Sequence, residues 1–354
     1  MSRFFNPAYN ALVPYVPGEQ PQDKKYLKLN TNESPFAPSP AVVEAVTREA
    51  GRLQLYSDPA ARELTASLAG ALDVMPEEII LTNGSDEVLQ FAFMAFCSKE
   101  RPAAFPDITY GFYPVFAQLC GVPYKEIPLR DDFSIALSDY KGLPHTVFIA
   151  NPNAPTGLVL SRDTLEAFIA EDPERVVVVD EAYVDFGAES CVPLIHKYDN
   201  LLVTQTFSKS RSMAGARLGF GVGCVSLIRD LQTLRGSTNP YNVNRMTLAA
   251  GLATLAEPDR TKENCRIIAE NREYLKKELR KRGFTVTDSA ANFVFAAHKT
   301  VGGKTLYEKL RENGVLVRHF SLERIKEYNR ITVGTREQTD TLLSAIDRIL
   351  EEIA

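Results

Sequence analysis

From about residue 39 onward, the apolar positions of this chain switch between two periods. "AVVEAVTREAGRL" and "PAARELTASLAGAL" carry them at three- and four-residue spacing, which predicts amphipathic helices. Between such stretches lie short, β-rich, continuous runs: Ile79–Asn83, Thr146–Ala150, Arg175–Asp180, Leu201–Thr206 and Arg217–Gly223. Runs apolar at every position suit strands buried on both faces, and strands spaced by helices build a layered α/β domain with a largely parallel sheet. "LQFAFMAFC" (Leu89–Cys97) is the most apolar stretch and reads as a buried helix. A long charged helix is expected from about Asp259 to Arg282, stopped by Gly283. Beyond it, "FTV", "NFVFAA", "KTLYEKLREN", "VLV", "RITVG" and a last helix read as a smaller α+β unit. Prolines at 7, 14, 17 and 21 mark the start as an extended arm. The pattern divides the chain into an arm (1–30), a large domain (31–250) and a small domain (251–354).

Size agrees with that division, since 354 residues exceed the roughly 250–300 at which one core stops growing. With 45% hydrophobic and 24% charged residues the composition is that of an ordinary globular protein. A net charge of −5 argues against a nucleic-acid partner, which needs a basic face. No apolar run approaches the roughly 18 residues of a membrane span, and "MSRFFNPAYN" lacks the apolar core of a signal peptide. Five scattered cysteines without a C-x-x-C point to reduced thiols rather than disulfides or zinc. The four histidines show no ligand spacing, so no metal is expected. The sequence reads as cytoplasmic.

Open α/β sheets bind ligands at the carboxyl ends of their strands, and the residues just beyond each strand here form a coherent set. Ile79–Asn83 runs into "GSDE", where a helix opens and its first amides form an anion site. Thr146–Ala150 runs into "NPNAPTG", a turn. Arg175–Asp180 ends in "DEAY", with Asp180 and Tyr183 at the rim. Leu201–Thr206 ends in "FSKS", which puts Lys209 there too, with Arg217 eight residues on. Singly, these are ordinary caps, turns and solvated charges. One candidate per neighbouring strand end, in this order, is not what a plain scaffold produces.

With "LNTNESP" (Leu29–Pro35), "YSDP" (Tyr56–Pro59), "TYGFY" (Thr109–Tyr113), "PYNVN" (Pro240–Asn244), "RITVGT" (Arg330–Thr335) and "TFSKSRSMAGARLG" (Thr206–Gly219), the motifs cover nearly the whole chain. The sequence resembles the fold-type-I pyridoxal-phosphate enzymes, and among them the histidinol-phosphate aminotransferase family. The resemblance implies that residues 31–250 bind pyridoxal 5'-phosphate. Lys209 would join the cofactor's aldehyde, Asp180 would pair with its pyridine nitrogen, Tyr110 would stack on the ring, and Tyr183 would donate to its phenolic oxygen. Gly84, Ser85, Asp86, Thr206, Ser208 and Arg217 would cradle its phosphate. Asn32, Arg318 and Arg330 would bind substrate. Tyr15, on the arm, would come from the partner subunit, and Tyr56 would cross to the neighbour's cofactor phosphate, implying a homodimer with shared active sites. The implied reaction is transamination between L-histidinol phosphate, a phosphorylated amino alcohol, and the 2-oxo acid 2-oxoglutarate, giving imidazole acetol phosphate and glutamate in histidine biosynthesis.

One position departs from the family pattern. Asparagine usually precedes "PTG" and donates to the phenolic oxygen, whereas here the residue is Ala154. Asn153 is then the candidate replacement. Three rivals share the motifs: an aromatic amino-acid aminotransferase, a threonine-phosphate decarboxylase, and a non-catalytic ligand-sensing domain. An intact Lys209 and the lack of a basic helix-turn-helix extension speak against the last.

Overall fold

A computed structural model describes residues 2–353. The arm enters through β1 (Leu27–Lys28), followed by α1 (Pro40–Ala50) and α2 (Arg62–Leu72). The large unit continues with β2 (Ile79–Thr82), α3 (Ser85–Phe96), β3 (Ala103–Pro106), α4 (Tyr113–Leu119), β4 (Tyr124–Ile127) and β5 (Thr146–Ala150). Next come α5 (Arg162–Glu171), β6 (Val177–Asp180), β7 (Leu201–Thr206), β8 (Gly219–Gly223), α6 (Val225–Thr238) and α7 (Arg245–Leu255). The remainder is α8 (Pro258–Lys281), β9 (Phe284–Val286), β10 (Phe293–His298), α9 (Gly303–Glu312), β11 (Val315–Leu316), β12 (Arg318–His319), β13 (Asn329–Thr332) and α10 (Arg336–Ile353).

Seven strands form the central sheet in the order β2-β8-β7-β6-β5-β3-β4. All run parallel except β8, which is antiparallel to β2 and to β7. That reversal positions the site. Thr82 and Thr206, at the ends of β2 and β7, both pair with Gly219 at the start of β8. The residues that enter β8 therefore share a rim with the ends of its neighbours. In the same way Ala150 pairs with Asp180. The expected strand at Arg217–Gly223 begins two residues later, because Arg217 takes a left-handed φ of 57° that no strand accommodates.

β3 and β4 escape the sequence reading for a physical reason. β3 is "AAFP", small and ending in proline, and β4 is "YKEI", an edge strand with three exposed positions. Neither is a continuous apolar run. Leu89–Cys97 does lie in the buried helix α3, where Val88, Leu89, Ala92 and Phe93 are inaccessible to solvent between the sheet and α6.

Four antiparallel strands, β12-β13-β10-β9, make the second sheet. α8, α9 and α10 cover it, with Ile268, Leu275, Leu306, Ile331 and Ile346 in one apolar cluster. α7 packs instead on α1 and α2 of the large unit. The "VLV" stretch splits into two strands. Val315 and Leu316 pair in parallel with Leu27 and Lys28, so the arm is stitched to the small unit. Arg318 then turns to face Arg330 across β12 and β13. No helix among the described residues is long and apolar enough to cross a membrane.

Candidate active site

A cavity opens where the ends of β2, β5, β6 and β7 meet the start of β8. One end is built for an anion. Gly84 takes a φ of 78° to turn β2 into α3, leaving Ser85 and Asp86 in the helix's first turn, where amides lack intrahelical partners. A side chain at Gly84 would run into an Arg217 nitrogen, and one at Gly219 would run into the Ser85 amide. Gly84 is required by its positive φ, and Gly219 by the close approach of the Gly84–Ser85 backbone. Arg217 donates to Ser208 Oγ (3.4 Å) and to Asp86 Oδ2 (3.0 Å). Thr206 Oγ1 donates to Ser208 Oγ (3.0 Å), and Tyr110 donates to Asp86 Oδ1 (2.7 Å). Amides, two hydroxyls and a guanidinium thus converge on one corner.

Lys209 and Asp180 line the same cavity. The Lys209 ammonium donates to the Thr31 carbonyl, at 3.2 Å, and lies 5.8 Å from the centre of the Tyr183 ring, with no carboxylate in contact among the described residues. Burial, then the repulsion of Arg330, lowers its pKa from 10.5 to about 8. Asp180 is buried at the end of β6, and burial raises its pKa to about 7 against a hydrogen bond from Tyr113. Burial thus shifts both groups toward their uncharged forms, the amine downward and the carboxyl upward. Perturbed groups of this kind in one cleft mark a functional site. Tyr183 also lines the cavity, and its oxygen accepts a hydrogen bond from Asn32 Nδ2 (2.9 Å), leaving the phenol proton free for an acceptor in the cavity.

Arg330 is partly buried, donates to the Asn30 carbonyl (3.1 Å), and has a buried Nε without a partner. Burial, unrelieved by any ion pair and worsened by Arg318, depresses its pKa. Arg318 stands directly opposite on the neighbouring strand. Like charges so paired repel unless an anion lies between or beside them.

The structure therefore brings together Ser85, Asp86, Tyr110, Asp180, Tyr183, Thr206, Ser208, Lys209 and Arg217 around one cavity. Gly84 supplies the turn beneath it, and Asn32 acts on Tyr183. One expectation is corrected. Asn153 does not line the cavity: its amide donates to the Ile108 carbonyl (2.9 Å) and Thr156 Oγ1 (3.2 Å), and its oxygen accepts from Thr109 (2.7 Å). Both N–H groups are committed to the turn, so none is free for a ligand. Tyr15 lies 5.0 Å from the Phe112 ring and 6.4 Å from the Tyr110 ring of its own chain. The arm is tied to its own small unit, where Arg318 donates to the Val16 and Pro17 carbonyls and Glu19 accepts from Tyr307 and Arg311. Tyr56 is 78% exposed, stacked on Tyr241 at 4.4 Å, and has no part in its own chain's cavity. Ala150, Ala182 and the donor Tyr113 belong to the site without having been singled out from the sequence. A second tyrosine three residues after Tyr110 was the available signal for Tyr113.

A seven-stranded sheet with one reversed strand, and a cavity on the rim that reversal creates, is the arrangement of the fold-type-I pyridoxal-phosphate enzymes. Within that class the chain belongs to the aminotransferase class I and II family, whose model matches residues 24–346. It is 47% identical over 350 residues to histidinol-phosphate aminotransferase 1 of Bradyrhizobium diazoefficiens, covering 99% of this chain and 100% of that one. To histidinol-phosphate aminotransferase of Clostridium beijerinckii it is 46% identical over 351 residues, covering 99% and 98%. Among solved structures, histidinol-phosphate aminotransferase from Sinorhizobium meliloti in complex with pyridoxal-5'-phosphate has the same fold, with a TM-score of 0.91 at 24% identity over 100% of this chain and 99% of that one.

Proposed function

We propose that the protein transfers the amino group of L-histidinol phosphate to 2-oxoglutarate with pyridoxal 5'-phosphate as cofactor. Kinship of 46–47% over full length with two histidinol-phosphate aminotransferases supports the substrate. The observation that carries it is the facing pair Arg318 and Arg330, the latter with an unpartnered buried Nε and no carboxylate in contact.

The cavity's own groups fit the cofactor. Its aldehyde needs an amine that gives up its proton readily, its pyridine nitrogen a carboxylate, and its phosphate an anion corner; Lys209, Asp180 and the Ser85–Thr206–Ser208–Arg217 corner supply them. When bound, pyridoxal phosphate acts as an electron sink for the pair released at the substrate's Cα. Asp180 keeps the ring nitrogen protonated, because opposite charges at close range favour both ionised forms. Tyr110 presents its ring to the cavity with its hydroxyl fixed on Asp86. Tyr183, held by Asn32, gives its proton to the phenolic oxygen. With the substrate amine in its place on the cofactor, Lys209 would be free to act as the general base that takes the Cα proton and passes it to the cofactor's aldehyde-derived carbon. Arg330 and Arg318 hold the substrate phosphate, then the carboxylate of the second substrate, and Tyr15 of the same chain closes over that end.

The working unit is a homodimer in the cytoplasm, in which the exposed Tyr56 completes the anion corner of its neighbour. Amino-donor profiling tests the whole reading. Two arginines bonding a phosphate at roughly 1.5–3 kcal/mol each imply that histidinol phosphate exceeds both histidinol and phenylalanine in kcat/KM by roughly 10²- to 10⁴-fold. Equal values for phenylalanine would favour an aromatic aminotransferase, and release of carbon dioxide from threonine phosphate a decarboxylase.

A further inference from the structure

Two tyrosines three residues apart each end on a carboxylate of the cavity. Tyr110 donates to Asp86 Oδ1 at 2.7 Å, and Tyr113 donates to Asp180 Oδ2 at 3.1 Å. The second contact has no part in the mechanism above. Tyr113 is fully buried in the first turn of α4. Its ring is held by Phe105 (5.6 Å between centroids), by Phe148 (5.8 Å) and, edge-on, by Tyr110 (5.7 Å). A phenol so enclosed must find an acceptor for its proton or pay for burying it unbonded. Asp180 is that acceptor.

Asp180 in turn receives few contacts. Its Oδ1 accepts from the Ala182 amide at 3.2 Å, and among the described residues Tyr113 is its one side-chain donor. The groups that face it are Tyr110 and Tyr113 from the β3–α4 loop and α4, Asp86 from α3, Lys209 after β7, and Tyr183 after β6. Asp86 repels its charge and Lys209 attracts it, but the Tyr113 hydrogen bond is the largest influence favouring the ionised form.

We infer that Tyr113 is a positioning residue for the reaction: its hydroxyl fixes the Asp180 carboxylate and keeps it the weaker base, so that the proton between Asp180 and the cofactor's pyridine nitrogen stays on the nitrogen. The inference rests on the reading of Asp180 as that nitrogen's partner. A proton shared by two bases resides on the stronger one. Removing the donor strengthens the carboxylate as a base and converts N–H⁺···⁻O into N···H–O, with no proton gained or lost. The ring then withdraws electrons less well.

Holoenzyme loaded with pyridoxal phosphate carrying nitrogen-15 in the ring reports this by NMR without turnover. In Tyr113→Phe the nitrogen signal should move toward that of unprotonated pyridine, and the cofactor's Kd should rise roughly 10- to 100-fold, the effect of one hydrogen bond to a charged group. A ring-fluorinated tyrosine at position 113, a stronger donor of nearly the same shape, should move the signal the other way, and decides the matter even where the phenylalanine variant folds poorly. Asp180→Asn separates the two assignments. If it leaves the signal where the parent has it, Asp180 is not the nitrogen's partner, and the site reading fails together with the role of Tyr113. If Asp180→Asn moves the signal while neither change at position 113 does, the role of Tyr113 alone is overturned.

Discussion

Replacing Ala154 with asparagine asks whether the cavity lacks a donor. Ala154 is 4% exposed, lines the cavity, and packs against Ala291 and Phe293. The neighbouring Asn153 cannot substitute, since its two N–H groups are held by Ile108 and Thr156. Tyr183 is therefore the side chain left to donate to the phenolic oxygen of a bound cofactor. That oxygen shares a proton with the nitrogen Lys209 contributes, and a donor to the oxygen stabilises the form in which the nitrogen has lost it. One hydrogen bond to a charged group is worth roughly 1.5–3 kcal/mol, and a pKa unit corresponds to about 1.4 kcal/mol. Ala154→Asn should accordingly lower the pKa of the cofactor's visible band by about one to two units in a spectrophotometric titration. Ala154→Val, which fills similar volume without a donor, should not. An unchanged or higher pKa in Ala154→Asn, with cofactor still bound, would mean that the oxygen already has its second donor and that the reasoning is wrong.

The same geometry has other consequences. Arg217→Ala should weaken cofactor binding by roughly 10- to 100-fold through lost charge-assisted bonds, yet barely move the melting temperature of the cofactor-free protein, because its pair with Asp86 is exposed; a large loss of stability with unchanged affinity would contradict the assignment. Capture of pyridoxal phosphate by the cofactor-free protein needs the neutral amine of Lys209, so its rate should rise with pH and level off above about 8 rather than near the ordinary 10.5. Arg330→Gln should move that midpoint upward, since removing a positive neighbour favours the ammonium form; a midpoint near 10 in the parent protein would refute the lowered basicity. Mixing Tyr56→Ala with Lys209→Ala protein should restore activity in hybrid dimers that combine one intact Lys209 with the other chain's Tyr56. No recovery after verified subunit exchange would rule out shared sites.

What the sequence revealed depended on how each element announces itself. Strands β5, β6 and β7 carry runs of large apolar residues, Val147–Ile149, Val177–Val179 and Leu201–Val203, and so announce themselves. β4, exposed at the sheet edge, and the short β3 carry no such signal. Lys209, Asp180 and Arg217 were visible as residues at or beyond strand ends. That they face one cavity depends on β8 running against its neighbours, a property of pairing and not of any local pattern. Asn153 misled because a polar side chain in a turn has two possible destinations, and here the turn's own carbonyl and hydroxyl claim it. The place of Tyr15 near its own Tyr110 was not legible either, because the arm is held by Glu19 and Arg318, whose partners lie some 300 residues along the chain. Tyr113 passed as one more core aromatic because burial alone does not say where a phenol proton points.

The central claim is that Lys209 carries the cofactor, and reduction of the holoenzyme with borohydride followed by peptide mapping tests it most directly. The recessed amine, its pKa lowered to about 8, predicts a stable pyridoxyl group on the peptide containing Lys209, absent after Lys209→Ala. A label on any other lysine, or undiminished labelling in Lys209→Ala, would contradict the account.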